Sequence, residues 1–223
     1  CWPEPEYADT MNKDELGNLK LSATEEAELV AFLKTLSPER VIGDVAMVPC
    51  DPEAAAIAQC AAWLKAGIDV GVVSDAGCPG MADPGALFVA RAHQIGAAVV
   101  PLVGPSSVLL GLMASGFDGQ HFTFHGYLPS KPAERDRALQ QLERQLAATG
   151  TTQVFIETPY RNAVMLEALA RGLAAGTQLC VAQNLASAGQ RIARAAAGQW
   201  SPALRAPFAD KAPTLFLLGR TAA

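Results

Sequence analysis

Three strand ends in this sequence carry residues that could do chemistry. The first reads "SDAGCPGMADPG", Ser74 to Gly85, and follows the apolar run "DVGVV". Gly77, Gly80 and Gly85 let a backbone bend tightly or approach a ligand, and its amides can then face an anion or a carboxylate. Asp75 stands where the run stops, the edge at which open α/β sheets bind ligands. The loop is neither G-x-G-x-x-G nor a Walker loop. A tight structural turn accounts for it as well as a ligand loop does.

The second cluster is "PLVGPSS". Gly104-Pro105 forces a turn, and Ser106 or Ser107 can cap the helix that follows. G-P-S-S-V is not the G-x-S-x-G of a serine nucleophile. The third is "FIETPYRN", where Glu157 ends an apolar strand and Tyr160, Arg161 and Asn162 begin a helix. Glu157 beside Arg161 can bind a polar substrate or form a plain ion pair, and the ion pair is the simpler reading. His121 and His125 flank a strand and read as satisfied core or surface histidines.

Elements that would present these ends can be read along the chain. Residues 1–12 lack periodicity. Ser22 with Glu25 forms a capping box, and Leu29, Phe32, Leu33 and Leu36 continue one apolar stripe to Ser37-Pro38. Strands are expected at "VAMVP", "DVGVVS", "AAVVPLV", "HFTFHGYLP", "TQVFIET", "QLCVAQ" and "TLFLLG". Helices are expected over 51–66, 84–94, about 106–115, 133–148 and 159–172, with a short helix or turn near 197–205. Strands alternating with helices predict an α/β protein with mostly parallel sheets.

Composition narrows the classes. The chain has 223 residues, half of them hydrophobic, and a net charge of -5. No run of 18 apolar residues appears, so a membrane span is not expected, and no signal peptide is visible. The chain opens at Cys1 rather than Met, as a fragment or processed piece would. Five scattered cysteines without a C-x-x-C pair read as thiols of a reducing cytoplasm, and with three histidines no metal site is expected. Residues 1–40 hold 4 basic and 9 acidic side chains, residues 41–126 hold 2 and 7, and residues 127–223 hold 11 and 6. The basic last part could face an anionic substrate or be ordinary helix surface. A domain boundary is expected near Gly126–Ser130, giving 1–40, 41–126 and 127–223.

Together, "SDAGCPGMADPG", "VVPLVGPSSVLLGLMASG", "FTFHGYLPSK" and "FIETPYRN" resemble the tetrapyrrole (corrin/porphyrin) methylase superfamily. The resemblance is closest to its branch that methylates a cytidine ribose 2'-oxygen in small-subunit ribosomal RNA. It implies a two-domain class III methyltransferase-like α/β fold, a homodimer, and S-adenosylmethionine as cofactor. It places that cofactor against Asp75, Ala76, Gly77, Gly80 and Asp83, against Ser106, Ser107 and Val108, at Tyr127, and at Tyr160, Pro213 and Thr214. A ribose hydroxyl benefits from a base. Glu157 is the candidate, with Arg161 to hold phosphate, and Lys131, Arg135, Arg137 and Arg144 suit RNA contact. A tetrapyrrole or other small-molecule substrate, or an inactive remnant, are the competing expectations. Val181 to Leu185 lacks the charged pair of the family's corresponding segment. Residues 1–38 resemble instead the C-terminal tail of c-type cytochrome peroxidase-like proteins, through "DELGNLKLSATEEAELVAFLKTLS", so the family's first βα unit is expected to be missing.

Overall fold

The structure is a computed structural model that describes the backbone of residues 45–47 and, more fully, residues 54–72, 77–82, 85–102 and 104–220. The expected amphipathic helix around 22–36 and the tail before it lie outside the described residues. Two compact units divide at Gly104/Pro105.

In the first unit, β1 (Val45–Met47) pairs in parallel with β2 (Asp69–Gly71), with Val45 opposite Asp69. Between them runs α1 (Ala54–Lys65), and α2 (Ala86–Gln94) follows the Gly/Pro loop. Cys60 of α1 and Phe88 of α2 are buried, and Ile57, Trp63, Leu64, Val70 and Val72 pack around them. Ala97–Leu102, expected as a strand, forms none among the described residues. Val99, Val100 and Leu102 are exposed, and Pro101 has no N–H to give a ladder.

The second unit is a sheet with helices on both faces. Its elements are α3 (Ser107–Ser115), β3 (Phe122–Tyr127), α4 (Pro132–Thr149), β4 (Thr152–Glu157), α5 (Asn162–Gly172), β5 (Gln178–Gln183), β6 (Arg191–Ala196), α6 (Pro202–Arg205) and β7 (Thr214–Gly219). Strand order is β3-β4-β7-β5-β6. Only β3 and β4 run parallel, while β7 is antiparallel to both β4 and β5, and β5 to β6. The expectation of mostly parallel sheets therefore holds for the described pair of the first unit and is corrected in the second. β7 arrives from the α6 side and enters between β4 and β5 in the opposite sense, which a list of strands in sequence order does not reveal. β6 was not expected, because "RIARAA" shows no apolar alternation. It is an edge strand, held by its ladder to β5.

Side chains alternate across this sheet as the pleat requires. Phe155, Phe216, Leu218, Leu179 and Val181 join the buried leucines of α4 and Met165, Leu166 and Leu169 of α5. Phe155 and Phe216 stack with ring centres 5.3 Å apart. Val154, Leu215, Leu217, Cys180 and Ala182 face the other way, toward Val108 and Leu112 of α3 and Phe117. α3 lies close to β7: a Cβ on Gly111 would fall 2.1 Å from Leu215 Cδ2. The sequence boundary near Gly126–Ser130 separated α3 from the later strands. The contacts group α3 with them, because Gly111 seats it on β7.

Candidate functional site

In the first unit, Asp75, Ala76 and Asp83 lie outside the described residues. What is described of their loop is a backbone built on glycine. Gly77 has φ +77° and Gly80 has φ +80°, the left-handed region that a side chain rarely adopts. The Met81 N–H donates to Cys78 O at 3.1 Å, closing a turn. A Cβ on Gly85 would lie 3.0 Å from Gly80 N, so the loop folds back against its own start. A Cβ on Gly77 would meet no described atom within 4 Å, so its left-handed φ, not crowding, is what calls for glycine there. Ala82 holds φ +57° without being glycine, a conformation that costs on the order of 1 kcal/mol. The described part of the loop contains the tight turn that the sequence offered as one of its two readings.

At the start of α3, Ser106 is the N-cap, and its carbonyl accepts from the Leu110 N–H at 2.9 Å. No serine side chain caps the helix, which corrects the expectation from capping preference. Ser106 is nevertheless buried, Ser107 opens the helix exposed, and Val108 packs into the α3 side of the core.

The carboxyl end of β4 carries the most developed polar geometry. Glu157 is 5% exposed. Its Oε1 accepts from the Thr158 N–H at 2.7 Å and from Arg161 Nε at 2.9 Å, and Arg161 Nη2 lies 2.6 Å away. Burial pushes the Glu157 carboxyl above its ordinary value, against the opposing pull of the Thr158 amide and the Arg161 guanidinium. The ion pair foreseen from sequence is present, and it ties the Thr158–Arg161 turn to the strand. Tyr160 is exposed, with the Lys211 ammonium 5.1 Å from its ring centre.

A polar row crosses the sheet at this end. Glu157 stands opposite Thr214, Thr214 opposite Gln183, and Gln183 opposite Arg191. Directly paired residues share a face, so this row continues the α4/α5 face beyond its apolar part. Gln183 Nε2 donates to Thr214 Oγ1 at 3.1 Å and to Phe208 O at 3.1 Å. Thr214 Oγ1 donates to Ala212 O, Arg191 Nη1 pairs with Asp210 Oδ2 at 2.7 Å, and Asn162 Nδ2 donates to Asp210 O and Ala212 O. These bonds fix the segment 206–213. Pro213 belongs to the same corner, and its carbonyl accepts from the Asn184 N–H. Tyr127 ends β3, the parallel neighbour of β4.

Sequence reasoning named Glu157, Arg161, Pro213 and Thr214 but passed over Gln183, Arg191 and Asp210. A buried glutamine ending an apolar strand was the available signal for the first. The other two needed the β5–β6 pairing. His125 shares a 2.8 Å hydrogen bond with Gln153, which bears out its structural reading. Among the described residues no group of three His, Cys, Asp or Glu side chains converges as metal ligands would.

This architecture is found in solved methyltransferases. The chain superposes on the methyltransferase CobJ with TM-score 0.56 and 18% identity, covering 87% of each chain. It superposes on uroporphyrin-III-C-methyltransferase from Thermus thermophilus with TM-score 0.53 and 19% identity, covering 85% of this chain and 87% of the other. At these identities the likeness is one of fold. Family membership comes from the sequence: the profile of the tetrapyrrole (corrin/porphyrin) methylases matches residues 19–200, and the chain belongs to that family.

Curated relatives are similar over shorter stretches. The ribosomal RNA small subunit methyltransferase I of Vibrio cholerae is 36% identical over 123 residues, which is 55% of this chain and 41% of that protein. The protein of the same name from Bacillus subtilis is 40% identical over 108 residues, 48% of this chain and 36% of that one. The one from Xylella fastidiosa is 42% identical over 108 residues, 48% of this chain and 38% of that one. The chain spans less than half the length of the curated relatives it matches.

Proposed function

We propose that this chain belongs to an S-adenosylmethionine-dependent methyltransferase that modifies small-subunit ribosomal RNA at a ribose 2'-oxygen. The observation that carries the reading is the 36–42% identity to proteins named ribosomal RNA small subunit methyltransferase I. A sulfonium methyl group is already activated, so holding donor and hydroxyl in line supplies much of the catalysis. The left-handed glycines Gly77 and Gly80 suit a loop that holds the carboxylate end of such a donor, with Asp75, Ala76 and Asp83 as their neighbours in sequence. Ser106, Ser107 and Val108, then Tyr127, Tyr160, Pro213 and Thr214, are the further contacts proposed for it. Glu157 is the proposed base, since a carboxyl lifted by burial accepts a proton more readily than an ordinary one. Its Oε1 is committed to Arg161 and Thr158, so that role falls to Oε2. A cytoplasmic homodimer is the setting proposed.

Isothermal titration with S-adenosylhomocysteine tests the cofactor assignment. Saturable heat is expected, and none from well-folded protein would overturn it. Transfer of labelled methyl from S-adenosylmethionine to small-subunit RNA, with mapping of the modified ribose, then tests the substrate. Methylation of a porphyrinoid and not of RNA would replace that substrate with a tetrapyrrole.

A further inference from the structure

The buried stripe of α4 reads Arg135, Leu139, Leu142, Leu146. Three leucines are what a helix packed on a sheet requires, and the arginine is not. Arg135 is 5% exposed, and its Nε has no hydrogen-bond partner. Five carboxylates of this unit are engaged elsewhere. Glu134 pairs with Lys131, Asp136 with Arg171, Glu157 with Arg161 and Asp210 with Arg191, while Glu143 accepts from Thr177 and from the Ala174 N–H. A guanidinium cannot shed its proton to escape burial. An unbalanced buried charge is costly, and such an exception calls for an explanation.

Topology says where this charge sits. β3 and β4 run parallel and α4 crosses between them, so α4 begins at the carboxyl edge of both strands. α5 follows β4 directly and begins at the same edge. Arg135 is the fourth residue of the 18-residue α4, whose N-cap Lys131 makes no side-chain capping bond. Helical side chains lean toward the N-terminus of their helix, so an arginine at this position belongs to the first-turn end of α4. That turn also carries the positive end of the helix dipole, although Pro132 has no N–H and the Glu134 and Arg135 amides donate to Lys131 O. A buried arginine without an ion-pair partner and a helix start coincide at one strand edge.

We propose that this edge is a phosphate site in which Arg135 is the anchoring cation, and that its occupant is a backbone phosphate of RNA. The choice of RNA rests on the function proposed above, whereas the site itself rests on Arg135. The residue is kept there at a cost to stability, because its counter-ion arrives with the substrate.

Two measurements on the 223-residue chain separate site from occupant. Melting is recorded in phosphate and in chloride at equal ionic strength. Binding of a small-subunit RNA fragment is followed by fluorescence anisotropy across a salt series. Phosphate is expected to raise the melting temperature of the parent. Arg135→Met is expected to melt above the parent in chloride and to lose the phosphate response. Its RNA affinity is expected to fall about tenfold, with a salt slope lower by about one. Arg144→Met, on the exposed side of α4, should keep the phosphate response. A phosphate response retained in Arg135→Met would overturn the site, and so would an Arg135→Met that melts below the parent. Should Arg135→Met not fold, Arg135→Gln carries the same comparison. If the response depends on Arg135 but the parent binds no RNA, the site stands while RNA, and the function reading with it, falls. If RNA binds and Arg135→Met leaves affinity and slope unchanged, the site proposal falls and the function reading stands.

Discussion

Gly219 offers the sharpest test of how α3 and its following turn are seated on the sheet. A Cβ built there would lie 2.3, 2.5 and 2.7 Å from three atoms of the Phe117 ring, where carbon contacts normally sit near 3.5–4.0 Å. The ring is buried, and the Arg194 guanidinium from the edge strand β6 lies over it, 4.7 Å from its centre. Arg194 in turn donates to Ser115 O and Gly116 O, which close the end of α3. Gly219→Ala must therefore shift Phe117, Arg194 or the backbone. Overpacking of this kind costs about 1–3 kcal/mol, and the rigid ring places this case near the top of that range. Losing a strand glycine returns about 0.5–1 kcal/mol. The net is about 2 kcal/mol, or a fall in melting temperature of about 4–8 °C for a chain of this size. Circular dichroism melts of Gly219→Ala, Phe117→Leu and the double variant measure it. With the ring replaced by a smaller side chain, the alanine should be tolerated, so the double variant should melt above Gly219→Ala. A Gly219→Ala as stable as the parent, or a double variant with simply additive loss, would refute this packing.

The raised carboxyl of Glu157 sets a pH signature. A group whose folded value lies above its ordinary 4.5 contributes most below that value, and the contribution is lost as pH rises through the raised value. The stability of the parent relative to Glu157→Gln should thus decline from pH 4 toward neutrality, measured by urea unfolding. A gap that widens with pH would mean that Arg161 outweighs burial. Cys180 is fully buried, and burial holds its thiol up at about 11 despite Arg194 nearby. It should resist alkylation at pH 8 in the folded chain and react once denaturant opens the sheet, as mass spectrometry of iodoacetamide-treated protein would show. Rapid labelling of folded Cys180 would contradict its placement between β7 and β6.

Most of the second unit was legible in the sequence because its strands are saturated with apolar residues and its helices end at glycine. Gly116 and Gly150 take left-handed C-cap positions after α3 and α4, where the chain must turn away without strain. What stayed hidden was non-local. The antiparallel entry of β7 depends on the course of 197–213, held by Gln183, Asn162 and Arg191 from three other elements. β6 earns strand geometry from its neighbour rather than from its own alanines and arginines. Ala97–Leu102 shows the converse, an apolar run that forms no ladder among the described residues. The site was legible in part. Glu157 and Arg161 are near in sequence and their pairing could be foreseen, whereas the burial of Arg135 looked like one more charge on a solvated helix.

The position of β7 also bears on how the unit comes into being. Its neighbours β4 and β5 are both made before it, yet neither can pair with the other, because the strand between them has still to be synthesised. Until residues 214–219 are available, a growing chain carries two long, apolar strand edges with no partner, which is the form most prone to pair with another chain. Closing this sheet is an insertion of late sequence into a waiting gap, and it spans nearly sixty residues between β4 and β7. Folding of this unit should accordingly be slow for its size, and dependent on whatever shields β4 and β5 while the gap is open.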